Sequence, residues 1–132
     1  HSTSSIRELT KGEPCLIFFL EEGKEPTEHV LNELLEKRER LLTREYRILF
    51  LVGSGESLKN PAMQRVLSQI PGIVTGIDPE LGNAEQTARS MYLDPEKLPL
   101  ALAVKEDLIG IAGFAGYHVG SVDLLCRLLT FS

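Results

Sequence analysis

The segment Leu98-Pro99-Leu100-Ala101-Leu102-Ala103-Val104 constrains the fold more than any other. Its five uninterrupted apolar residues after Pro99 leave a strand no polar face, so both sides must be covered by other elements. Proline cannot donate to a sheet ladder and suits the first position of such a strand. The acidic turn Lys105-Glu106-Asp107 and a second apolar run, Leu108 to Phe114, then read as a tight reversal and a returning strand.

Three further strands follow from the same reasoning. Cys15 to Leu20 is a continuous apolar run, suited to a central strand covered on both faces. Tyr46 to Val52 is the next, ending at Gly53-Ser54-Gly55, and Ile73 to Ile77 is shorter. A Gly-Ser-Gly turn lacking both the full glycine fingerprint and a P-loop lysine reads as a plain strand-to-helix turn. Between the strands lie helical patterns. Pro26 opens one that runs to about Thr43, with Glu33–Lys37 and Glu36–Arg40 as i,i+4 pairs on a solvated face. A second covers 57–70. A third runs from Ala84 to Tyr92 with Asn83 as its cap, and Ser121 caps the last. The order β-α-β-α-β-α-β-β-α implies a partly parallel sheet of about five strands with an antiparallel hairpin at its C-terminal end.

At 132 residues the chain is one domain's worth of sequence. Residues 1–12 read as a polar tail or linker and 13–132 as a single domain, expected to be a piece of something longer. A formal net charge of −5 argues against a nucleic-acid partner. No apolar stretch is long enough to span a membrane. Two cysteines, Cys15 and Cys126, and three scattered histidines, His1, His29 and His118, cannot build a zinc-type cluster, so neither metal nor cofactor is expected. Both cysteines read as buried core residues, with a disulfide between them left open by sequence distance. His118 reads as a structural residue in a glycine-flanked turn.

The order of elements resembles the thioredoxin-like fold, in particular its TlpA-like thiol–disulfide oxidoreductase and peroxiredoxin branch. The resemblance rests on the buried strand Leu16–Leu20 with the proline-opened helix from Pro26, the extra helix and strand before Asp78-Pro79, the short helix ending at Tyr92, and Pro99 ahead of the hairpin. It covers roughly residues 13–130 and implies a three-layer α/β/α sandwich with a cis peptide bond before Pro99, facing the start of the first long helix.

The motif that gives this branch its chemistry is missing. Aligned on Pro26, the nucleophilic cysteine position holds Lys24 and the resolving position holds Thr27, and no cysteine lies between 16 and 125. Neither side chain can form a mixed disulfide. The resemblance therefore implies a redox-inactive interaction or structural module, part of a larger bacterial protein, with an extracytoplasmic location favoured. Lys24, Thr27, Leu98 and Pro99 would line a groove that receives an extended peptide by strand addition. Partners expected are a peptide or protein at that groove, or other domains of the same chain. The alternative is an enzyme working through a site without the paired cysteines, either the acid–base pair Glu28 and His29 or an exposed Cys126.

Overall fold

In a computed structural model, residues 6–130 are described, apart from the side chain of Arg7. Five strands form one sheet: β1 (Cys15–Leu20), β2 (Arg47–Val52), β3 (Val74–Ile77), β4 (Leu100–Val104) and β5 (Gly110–Ala115). They lie in the order β3-β2-β1-β4-β5. β1 pairs parallel with β2 and β2 with β3, while β4 runs antiparallel to both β1 and β5. The two apolar runs without a polar face, β1 and β4, are thus neighbours at the centre, and every residue of both is buried.

Alternation along the strands sends side chains to two separate cores. On one side Leu16, Phe18, Leu20, Ile48, Phe50, Ala101 and Ala103 meet helices α2 (Glu25–Glu36), α4 (Pro61–Gln69) and α6 (Ser121–Thr130). Phe18 and Phe50 pack edge to face there, ring centres 5.7 Å apart, an arrangement worth about 1 kcal/mol beyond area burial. On the other side Ile17, Phe19, Leu49, Leu51, Leu100 and Leu102 meet α5 (Gly82–Ser90) and α1 (Ile6–Thr10). The result is a three-layer α/β/α sandwich around a mixed sheet.

Several local expectations change. Residues 6–10 are not a loose linker: they form α1, whose Ile6 and Leu9 pack on the second core and whose Thr10 is fully buried. Gly76 shows why, since a Cβ there would stand 2.7 Å from Leu9 Cδ1. Residues 1–5 lie outside those described. The helix opened by Pro26 stops at Glu36, and a short α3 (Arg38–Leu41) continues after a break at Lys37. The 57–70 pattern divides into a 3₁₀ turn, Gly55–Lys59, and α4, because Asn60 caps the latter by accepting from the Ala62 and Met63 amides. Asn83 is not the cap of α5. The Asp78 carboxylate takes that role, accepting from the Asn83 and Ala84 amides at 3.0 and 3.2 Å.

Candidate functional site

The corner singled out by the sequence forms where α2 begins. Lys24 is its N-cap residue, exposed and in extended conformation, and makes no side-chain capping bond. Pro26 falls in the first turn, where its missing N–H costs nothing, and Glu25 and Glu28 place negative charge against the positive end of the helix dipole. Thr27 points inward instead of lining a surface. It is 1% exposed, and its Oγ1 has no hydrogen-bond partner. It neither caps the helix nor binds a neighbour.

Three segments converge on this corner. His29 stands one turn after Glu25, with its Nε2 3.3 Å from the Glu25 Oε1, and its ring stacks on Tyr117 with centres 5.2 Å apart. Tyr117 donates its hydroxyl to Glu33 Oε1 at 2.7 Å, and the second oxygen of Glu33 accepts from the Asp123 amide at 2.9 Å. The bond to Glu33, followed by burial, pushes the Tyr117 phenol up to about 12. The residue before Tyr117 is Gly116, at φ +77°, a left-handed conformation that favours glycine. Its N–H reaches the Pro99 and Lys97 carbonyls at 2.9 and 3.1 Å. Helix α2, the loop ahead of α6 and the segment ahead of β4 are thereby tied together.

The Leu98–Pro99 peptide bond is cis, and Pro99 is buried. Leu98 is half-buried against the second core. Among the described residues, neither the Leu98 amide nor its carbonyl has a hydrogen-bond partner. Three residues after Gly116, which bonds this segment, Val119 is almost completely exposed, at 93%.

Both cysteines are buried core residues, as the sequence suggests. Cys126 is fully buried in α6, so an exposed thiol there is excluded, and burial pushes its ionisation up. Cys15 is equally buried, with its thiol pushed up to about 12 by burial. The two lie in different cores, on opposite faces of the sheet, and both are free thiols. His29 is engaged by Glu25 and Tyr117, while Glu28 makes no ion pair with it. His118 rests against the Ala115 carbonyl at 3.2 Å and tilts on Phe114. Among the described residues no three His, Cys, Asp or Glu side chains gather as metal ligands, and no helix is long and apolar enough to cross a membrane.

Sequence reasoning missed Glu33 and Tyr117. The expected pair Glu33–Lys37 does not form: Glu33 is 6% exposed, and Lys37 turns to Asp123 at 3.7 Å. Arg40, expected to pair with Glu36, also takes Asp123. The available signal was the position of Glu33 beside Val30 and Leu34, on the apolar stripe of the helix.

No family model matches the chain, and no curated protein matches it. Solved structures do. The thioredoxin domain of a thiol-disulfide oxidoreductase from Bacteroides vulgatus is similar at 15% identity and TM-score 0.63, over 97% of this chain and 84% of that one. A thiol:disulfide interchange protein described as DsbE-like, from Chlorobium tepidum, is similar at 12% identity and TM-score 0.62, over 96% and 85%. A secreted disulfide oxidoreductase of Mycobacterium tuberculosis follows at 12% and 0.56, over 92% and 85%. Identities this low speak to architecture alone, and with the sheet order and layering above they lead to one conclusion: the chain has a thioredoxin-like fold.

Proposed function

We propose that this chain is a redox-inactive thioredoxin-like domain of a larger bacterial protein, serving as an interaction module. An extended peptide segment binds at the corner formed by Lys24, Leu98 and the Gly116–Val119 loop, above the buried Thr27 and Pro99. The observation that carries the reading is a contrast within one corner. The helix start that would hold reactive thiols holds Lys24 and Thr27, while the Leu98 amide and carbonyl stay unpaired. A strand laid beside Leu98 would satisfy both groups, and unpaired backbone groups are what strand addition uses. The solved structures named as thiol–disulfide oxidoreductases support the fold comparison; the chemistry in their names needs thiols that this corner lacks.

The test is a pair of measurements on the same protein. Insulin-disulfide reduction and peroxide consumption should stay at background. In a ¹H–¹⁵N titration with a library of extended peptides, the Lys24, Leu98, Gly116 and Val119 amides should move together and saturably. Turnover in either assay would favour an enzyme, with Cys126 and Cys15 as the first residues to mutate, since both reactions need a group that exchanges electrons. Peptide titrations that leave all four amides unmoved would remove the groove from consideration.

A further inference from the structure

At the opposite end of the sheet, where α3 turns into β2, a cavity of about 330 Å³ is lined by Arg40, Thr43, Arg44, Glu45, Tyr46 and the last turn of α6. Arg44 is its unusual member. The side chain is half-buried and held in one pose by two backbone carbonyls: Nη1 donates to Leu41 O at 2.8 Å and Nη2 to Pro71 O at 3.1 Å. These use two of the five N–H donors of a guanidinium. The Nε is buried and has no partner. Among the described residues no carboxylate pairs with Arg44, although the chain carries 19 Asp and Glu residues against 14 Lys and Arg.

The surroundings add positive charge. Asp123 receives Lys37, Arg40 and Arg127 at once, so one carboxylate serves three cations beside the cavity. Glu45 at the rim supplies a second negative charge and forms no ion pair with either arginine. Asp123 is thus shared among three cations, and Arg44 has no carboxylate of its own among the described residues. Anchoring the turn to α4's exit accounts for Arg44's two carbonyl bonds. It does not account for the Nε, a buried N–H donor left without a partner, where buried polar groups are ordinarily hydrogen-bonded.

We infer that this cavity binds a small oxyanion of the phosphate or carboxylate class, held by the remaining donors of Arg44 with Arg40 beside it. The preset guanidinium fork matches two oxygens of such an anion, and its pose is already fixed by Leu41 and Pro71, so little side-chain freedom is lost on binding. The site shares no lining residue with the peptide corner; the link between them runs through Asp123, which pairs with Arg40 and whose amide bonds Glu33.

The test is a ¹H–¹⁵N titration of the whole chain that includes the arginine Nε–H signals. Inorganic phosphate is one arm, acetate the other, and sodium chloride at matched ionic strength the control. The expected result is a saturable shift of the Arg44 Nε–H, together with the Thr43 and Tyr46 amides, in one of the two arms. That arm identifies the anion class. Arg44→Gln, which keeps an amide donor for the carbonyls and removes the charge, should weaken the response by about tenfold or more, and Arg44→Lys should fall between. Overturning results are an Arg44 Nε–H signal that moves no more than in chloride, or an Arg44→Gln protein that binds as tightly as the parent. The wild-type Nε–H signal decides the matter even where a variant does not fold.

Discussion

Tyr117 donates its hydroxyl to the buried Glu33 across 2.7 Å, joining two residues 84 positions apart in sequence. Through this bond, and the second one from Glu33 to the Asp123 amide, the loop carrying Val119 is held to α2. The corner proposed to receive a peptide keeps its shape through a carboxylate that faces away from solvent.

Tyr117→Phe removes the donor and leaves Glu33 6% exposed with the Asp123 amide as its remaining protein partner. A hydrogen bond to a charged acceptor contributes about 2 kcal/mol, so the unfolding free energy from urea titration should fall by roughly that amount, with a lower midpoint and an unchanged slope. An unaltered midpoint would mean that Glu33 is held by its other contact alone.

Lys24→Cys with Thr27→Cys restores two thiols to the first turn of α2, the first exposed and the second buried. A thiolate at a helix N-terminus has a lowered pKa and attacks disulfides at neutral pH. The double variant should reduce insulin disulfides where the parent does not, and Lys24→Cys alone should form mixed disulfides without turnover. A silent double variant would show that loss of the cysteines is not all that separates this corner from an oxidoreductase.

Thr27→Val exchanges a buried, unpartnered hydroxyl for a methyl of similar size. Leaving a polar group buried without a partner costs about 1–3 kcal/mol, so the variant should be at least as stable as the parent, and up to about 1 kcal/mol more so after imperfect packing. A clear loss of stability would reveal a partner for Oγ1 in solution.

Both cysteines should resist alkylation in the native state and react fully on unfolding. Burial raises the Cys15 thiol from an ordinary 9.0 to about 12, so the folded chain keeps a proton that the unfolded chain releases. Stability on this account is fully present below about pH 9 and falls as pH rises from there toward 12. Tyr117, raised from 10.0 to about 12, adds a second loss over the upper part of the same window. Alkaline unfolding curves for the parent and for Cys15→Ala check this: the variant should lose stability less steeply above pH 9.

The sequence by itself determined the layered architecture, since a strand with no polar face can exist only between two covering layers. The runs at Cys15–Leu20 and Leu100–Val104 therefore mark the centre of the sheet, and the absence of cysteine between 16 and 125 removes the thiol motif outright. Periodicity reports which face of a helix is apolar, and it could not report what a polar residue on that face would find there. Glu33 read as half of a local ion pair because its partners, Tyr117 and Asp123, are distant in sequence. The short α1 escaped for a related reason: five residues carry too little pattern to outweigh a polar flank, and only Leu9 over the bare backbone of Gly76 made them part of the domain. Nothing in the sequence singles out Arg44; folding alone sets it beside two carbonyls and no carboxylate. Local chemistry fixed the elements, and long-range packing alone decided which polar groups were satisfied and which were left waiting for a partner.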